Sequence, residues 1–315
     1  MINPKRIFTL LAALFLLAGP VCASAQDDGG EDTAAPAAEK DYDYNFGMVM
    51  GPSQQDQLLQ PIFEDVFKFI KQSEGVDIKM IWFEDEEEFM EMAAAREFDF
   101  AYAKEHDPFI KMVTEYGYEP VITISAFGQK TTRRCLYTLE ENGVDSLDEL
   151  KGSSLVTYRT RDGYYPLRQL LDGKKPNEFF GKVIPSYSGQ ISLRALLDGR
   201  ADLAFVYDSN LGIIKMGNPS EARKLEPIMC SPPEYNPCIV IRSMDEIPIE
   251  LLRKILKTMD NADKAESLKA YRPLFIQTKI RFIPITKKDY KPLFDLYQKA
   301  REKGWEEDYR EWRKD

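Results

Sequence analysis

Apolar positions along this chain alternate between two rhythms. Short apolar runs such as "YNFGMVM", "VDIKMIWF" and "FDFAYA" each give way to longer stretches whose apolar residues fall three and four apart. The first spacing fits a strand and the second an amphipathic helix. "GPSQQDQLLQPIFEDVFKFIKQ" is the first predicted helix, entered at Gly51, Pro52, Ser53 and Gln54. "EDEEEFMEMAAARE" is the second, with Glu86, Glu87 and Glu88 near its start, where the helix dipole favours negative charge. "HDPFIKMVTEYG" is the third. Strands and helices alternating in this way predict parallel sheet with crossover helices.

The second half repeats the pattern. The strand "SSLVTY" turns into "YYPLRQLLDGK", where Leu167, Leu170 and Leu171 keep helical spacing. "KVIPSYS" with "GQISLRALLDGR", and "ADLAFVY" with "DSNLGIIKMG", are two more strand–helix pairs. The fold class is therefore α/β, with two Rossmann-like lobes. "VITISAF" and "RRCLYTL" carry the chain out to the second lobe, while "EPIMCS" and "CIVIRS" bring it back. The expected division is residues 42–127 plus 239–315 for lobe one, and 128–238 for lobe two with the hinge crossings. Two crossings make a two-segment hinge and a cleft. In open α/β sheets a ligand sits beyond the carboxyl ends of the strands, near helix starts.

The N-terminal region changes the picture of where the protein acts. Residues 1–25 combine Lys5 and Arg6, an apolar run from Ile7 to Ala18, and Ala23-Ser24-Ala25. That is a secretory signal peptide with cleavage expected after Ala25, hence a periplasmic protein. Lipidation at Cys22 is the alternative, in the unfavourable context Gly19-Pro20-Val21. Residues 26–41 are small and acidic, and are expected to form a flexible leader.

The chain has 52 acidic and 42 basic side chains, a formal charge of −10, which becomes −12 once Lys5 and Arg6 leave with the signal peptide. So acidic a surface argues against nucleic-acid binding, although a small anion needs only a few local donors. Of the cysteines left after cleavage, Cys135, Cys230 and Cys238, the last two flank the proline-rich "SPPEYNP". An exported protein meets oxidising conditions, and Cys230–Cys238 is the expected disulfide, with buried free thiols as the alternative. With one histidine and no C-x-x-C, neither a metal nor another cofactor is expected. The chain also lacks G-x-S-x-G, H-E-x-x-H, a Walker loop and GxGxxG, so it is not expected to be an enzyme.

Four segments carry a family resemblance: "EFMEMAAAREFDFAYAKEHDPFI", "VDSLDELKGSSLVTYRTRDGYYPLRQLL", "SYSGQISLRALLDGRADLAFVY" and "PIMCSPPEYNPCIVIR". Together, and in that order, the chain from Tyr44 to Arg281 resembles the type 2 periplasmic substrate-binding proteins. Within them it is most similar to the phosphate/phosphite/phosphonate-binding family of ABC importers. The resemblance implies a type 2 periplasmic-binding-protein fold and capture of a small polar, anionic ligand by lobe closure.

It also implies site residues. Gly163-Tyr164 matches a Gly-Tyr pair that follows a hydroxyl-rich segment in the family. Here the preceding positions are Thr160, Arg161 and Asp162, so one hydroxyl remains beside a guanidinium and a carboxylate. Arg161 can clamp a carboxylate or phosphonate bidentately. Asp162 repels such a group unless it pairs with Arg161 or caps the helix. Ser188 and Gln190 occupy the next polar loop, as ligand contacts or as an ordinary helix cap. Gln190 stands in place of an acidic residue, so an amine on the ligand is less strongly implied. Tyr102 is expected to line the cleft from lobe one, and Tyr207 and Asp208 from lobe two, against the alternatives of a packed ring and a capping carboxylate. Ser53 and Gln54 are expected to face the cleft, and His106 lies at a helix start, as a cap or a cleft residue.

The implied partners are a small-molecule ligand and an ABC permease, with the protein a monomer. A sensory module reporting to a membrane histidine kinase is the alternative, and an enzyme on the same bilobal fold a more distant one.

Overall fold

The computed structural model describes residues 42–49, 54–103, 105–125, 128–144, 146–186, 188–243, 247–259, 261, 264–272, 276, 279 and 281–314. The first lobe starts with β1 (Tyr44–Val49), α1 (Gln54–Glu74), β2 (Ile78–Phe83), α2 (Glu86–Ala94), β3 (Phe100–Tyr102), α3 (His106–Thr114) and β4 (Glu119–Ser125). The chain crosses through β5 (Thr131–Thr132) into β6 (Arg134–Leu139). Lobe two continues with β7 (Ser154–Tyr158), α4 (Arg161–Leu170), β8 (Lys182–Ser186), α5 (Gly189–Leu197), β9 (Leu203–Tyr207), α6 (Asp208–Gly217) and β10 (Leu225–Cys230). It returns through β11 (Glu234–Tyr235) to β12 (Cys238–Ile241), α7 (Ile249–Met259), β13 (Arg281–Pro284), α8 (Lys291–Glu302) and α9 (Trp305–Lys314).

Each lobe is built on one sheet. The first runs β13-β4-β12-β3-β1-β2 and the second β10-β6-β9-β7-β8. The strand–helix units supply parallel pairs, β1 with β2 and β3, and β7 with β8 and β9. The crossing strands are antiparallel, so both sheets are mixed rather than wholly parallel. A segment that enters or leaves a lobe runs against its neighbours: β12 is antiparallel to β3 and β4, and β6 to β9 and β10. The two crossings pair with each other in a short ribbon, Thr132 opposite Glu234 and Thr131 opposite Tyr235. This ribbon is the two-segment hinge.

Alternation along the strands buries both faces of each sheet, because successive side chains point to opposite sides. In lobe one Phe46, Phe100 and Ile239 enter one core, while Ala101 and Val240 enter the other with Phe98 and Phe109. In lobe two Val156 and Val206 lie on one side, Leu155 and Phe205 on the other. No helix among the described residues is long and apolar enough to cross a membrane.

A fifth cluster lies between the lobes. Tyr164 and Tyr165 of α4 pack with Leu296 and Ala300 of α8 and with Trp305, Tyr309 and Trp312 of α9. The same α8 sets Phe294 against Phe109 of α3, with ring centroids 5.9 Å apart. The C-terminal helix pair thus touches both lobes, a feature that the division into 42–127 plus 239–315 and 128–238 does not capture. Trp305 and Trp312 are only 3% and 2% exposed, and burying rings of this size contributes roughly 2–3 kcal/mol each.

The disulfide differs from the expected one. It joins Cys135 and Cys230, and Cys238 is a buried free thiol. The register explains why. Cys135 and Cys230 are directly opposite on antiparallel β6 and β10, whereas Cys238 opens β12 in the other lobe's sheet. The proline-rich stretch is a hinge crossing, not a turn that brings its flanks together.

Candidate functional site

The strands β3, β7 and β9 end facing the gap between the lobes, and each hands over to a helix. After β7 the chain turns at Thr160, whose extended backbone and hydroxyl cap α4: Thr160 Oγ1 accepts from Gly163 N at 3.2 Å. Gly163 is required by the close approach of the turn, since a Cβ there would lie 2.5 Å from the Tyr158 carbonyl oxygen. This places Arg161 and Asp162 at the mouth of α4, pointing across the gap.

Asp162 is buried and reaches lobe one. Its Oδ2 accepts from His106 N, the first amide of α3, at 2.8 Å, and its Oδ1 accepts a short hydrogen bond from Tyr297 Oη of α8. Arg134 Nη2 lies 3.5 Å from the same Oδ2. Arg134, at the start of β6, is 2% exposed. It donates to Glu234 Oε2 at 2.7 Å and to Tyr207 Oη, and its guanidinium stacks 4.2 Å from the Tyr207 ring centroid. His106 Nδ1 lies 3.5 Å from Glu234 Oε2 and 3.7 Å from Asp162 Oδ2. Burial pushes the Asp162 carboxyl upward, but His106, the Arg134 guanidinium and the bonds from Tyr297 and the His106 amide outweigh it and hold it below the usual carboxylate range. Burial likewise raises the Tyr207 and Tyr297 hydroxyls well above the ordinary tyrosine value.

Arg161 does clamp a carboxylate, and it is the chain's own. Its Nε and Nη2 donate to Glu306 of α9 at 2.9 and 2.7 Å, and its Nη1 donates to Asp107 of α3 at 3.0 Å. Tyr165 Oη adds a 2.6 Å bond to Glu306. Burial pushes the Glu306 carboxyl up, yet the bonds from Arg161 and Tyr165 prevail and bring it down to about 2.

A second polar group lies at the starts of α5 and α6. Ser188 caps α5, accepting from Ile191 N at 3.5 Å and donating to Gln190 Oε1 at 2.8 Å. Beside it, Gln190 Nε2 is buried with no hydrogen-bond partner among the described residues, while the buried Tyr158 hydroxyl lies within reach of the Gly189 backbone and the Asn210 side chain. His106 Nε2, like Gln190 Nε2, is buried with no partner among the described residues. Gly189 faces Asn210 so closely that a Cβ would stand 2.3 Å from its amide carbon.

The residues singled out in the sequence are therefore divided. Arg161, Asp162 and Tyr207 meet between the lobes, and Ser188 with Gln190 forms the adjoining polar group. Tyr102 packs instead against the apolar core of lobe one, lining a cavity of about 40 Å³ with Phe46, Met48 and Phe100. Tyr164 turns away from the gap into the aromatic cluster, where Arg168 Nη1 donates to its hydroxyl at 3.1 Å. Asp208 belongs to the hinge, accepting from Thr132 Oγ1 at 2.8 Å and from Arg133 N at 3.2 Å. Ser53 lies outside the described residues, and of Gln54 only the helical backbone is described. Arg134, Glu234, Tyr297, Glu306 and Asn210 were not found from the sequence. The arginine pair that opens the apolar hinge strand "RRCLYTL" was a usable signal for Arg134, but nothing local marks Tyr297 or Glu306, which reach the site from the C-terminal helices.

Comparison with known proteins agrees with this architecture. The family model described as "ABC transporter, phosphonate, periplasmic substrate-binding protein" matches residues 48–290. No curated protein matches the chain in sequence. Among solved structures, a binding protein component of an ABC phosphonate transporter from Pseudomonas aeruginosa is 19% identical, with a TM-score of 0.58 over 83% of this chain and 87% of that one. PhnD1 from Prochlorococcus marinus, solved in complex with methylphosphonate, is 16% identical, with a TM-score of 0.60 over 82% and 98%. A Xanthomonas citri protein solved with chloride ion, and again with ATP, is 13% identical, with a TM-score of 0.59 over 82% and 98%. At these identities the structures speak for the fold, which is the two-lobed fold of periplasmic binding proteins. With the family model covering most of its length, the chain belongs to the phosphonate-type periplasmic substrate-binding proteins of ABC transporters.

Proposed function

From membership of that family we infer that the chain takes one small polar solute between its lobes in the periplasm and presents it to the permease of an ABC importer. The observation that carries the choice of site is the group of buried polar atoms Tyr158 Oη, Gln190 Nε2 and Asn210 Oδ1, of which Gln190 Nε2 has no hydrogen-bond partner among the described residues. Buried polar groups are nearly always paired, and these three lie at the carboxyl ends of lobe-two strands and the first turns of α5 and α6, where open α/β sheets bind ligands. They supply donors and acceptors together, and Tyr207 closes the group beside them. Recognition is non-covalent, and no reaction is assigned to the cleft. Export follows from residues 1–25, with cleavage after Ala25.

Native mass spectrometry of the full-length gene product purified from its own periplasm tests this. A co-purifying small molecule is expected, and Gln190→Leu should lower its occupancy several-fold. An empty protein that gains no thermal stability from any member of a broad polar-metabolite set would overturn it.

A further inference from the structure

The cleft holds an anion of its own. Resting on the solute-binding reading, we propose that Asp162 determines the specificity of the cleft: its carboxylate takes the position an oxyanion would occupy, so the cleft selects an uncharged polar solute.

Three donors converge on this carboxylate: the first amide of α3, Tyr297 Oη and, at longer range, Arg134 Nη2. A helix start, a phenol and a guanidinium make a set that suits an anion. They come from lobe one, the C-terminal helices and the hinge, while the carboxylate comes from lobe two. The side chain therefore does between the lobes what a bound anion would do, and it is tethered, so it cannot diffuse away.

The remaining charges agree. Arg134 is also bonded to Glu234, and Arg161 has Glu306 and Asp107 on its three donor nitrogens. Both guanidiniums are thus matched by carboxylates of the chain. An incoming phosphate or phosphonate would have to displace one of these or stand beside Asp162. Like charges about 4 Å apart at an effective dielectric of about 20 weaken binding on the order of a thousandfold. The buried polar atoms next to the cluster belong to a phenol and two amides, groups that are neutral at physiological pH. They suit hydroxyls, amides or ring nitrogens on a ligand without net charge.

The test uses inorganic phosphate and methylphosphonate as probes, in isothermal titration and thermal shift, on the wild type, Asp162→Ser and Asp162→Asn. The wild type is expected to show no heat of binding and no rise in Tm with millimolar phosphate. Asp162→Ser, which frees the donors, is expected to bind phosphate at least about a hundredfold more tightly than the wild type. Asp162→Asn, nearly the same shape, should move in the same direction and carries the test if the serine variant fails to fold by circular dichroism. Phosphate binding by the wild type as tight as by either folded variant overturns the proposal while leaving solute binding intact. Folded variants with no gain also overturn it. Conversely, a gain in the variants from a wild type that binds no solute at all would uphold the role of Asp162 and sink the solute-binding reading.

Discussion

Arg161 and Glu306 stand 145 residues apart in the chain, yet meet through two near-parallel hydrogen bonds of 2.9 and 2.7 Å. The pair fastens the last helix to the first turn of α4, and the third nitrogen of Arg161 continues to Asp107 in lobe one. Lobe two, the C-terminal helix and lobe one are joined through one guanidinium. Glu306→Gln keeps the shape but removes the charge, and is expected to cost about 1–2 kcal/mol, the group being partly open to solvent. For a chain of this size that is a fall in Tm of roughly 2–8 °C. A double-mutant cycle with Arg161→Met measures it. Additive effects of the two substitutions would mean that the bonds contribute nothing.

The same carboxylate gives a pH dependence with a definite sign. Glu306 is held at about 2 in the folded protein against roughly 4.3 in the unfolded chain. Its contribution is therefore complete above about pH 5 and is lost as the pH falls from there toward 2. Asp162 is depressed as well and adds loss in the same direction. Urea unfolding followed between neutral pH and pH 3 should show stability falling on the acid side, more steeply in the wild type than in Glu306→Gln. Parallel profiles for the two proteins would refute this assignment.

The fold was largely legible because its signals are local. Short apolar runs such as "ADLAFVY" became strands, here β9, and the helical spacing of Leu167, Leu170 and Leu171 marked α4. The order of elements implied two crossings, and the β5–β11 ribbon is where they pair. The site was half legible. Arg161 and Asp162 stood out as charged residues at a strand-to-helix turn, but their partners Glu306, Tyr297 and Arg134 are set by tertiary packing, which no spacing along the chain encodes. The disulfide failed for the same reason. Nearness in sequence favoured Cys230 and Cys238, while the strand register that brings Cys135 to Cys230 arises only once β6 and β10 pair.

Gly163 tests how tightly the α4 turn is built. A methyl group added there meets the Tyr158 carbonyl oxygen at 2.5 Å, and that oxygen is backbone and cannot swing aside. Gly163→Ala is expected to displace the start of α4 and cost roughly 1–3 kcal/mol. Gly212, in α6, has open space where its Cβ would stand, so Gly212→Ala serves as a control that leaves stability unchanged or raises it by up to about 1 kcal/mol. Equal melting temperatures for the two variants would remove the argument from the close approach.

The cysteines give a prediction that separates the observed pairing from the one the sequence suggested. Cys135 and Cys230 are bridged across 95 residues of chain, and Cys238 is wholly buried beside Tyr290. Alkylation in denaturant without reductant, followed by peptide mapping of residues 128–243, should label Cys238 and leave the other two linked. In the native protein Cys238 should resist labelling, because burial both hides the thiol and raises its pKa, so that little thiolate forms. Replacing Cys135 and Cys230 together by serine removes a constraint on the unfolded chain and is expected to cost about 2–5 kcal/mol. Cys238→Ser leaves the bridge in place and costs only what placing a hydroxyl at a buried thiol site costs, about 1–3 kcal/mol. Labelling of Cys135 in place of Cys238 would mean that the bridge spans the hinge crossing, and β6 and β10 would then have to pair in a different register.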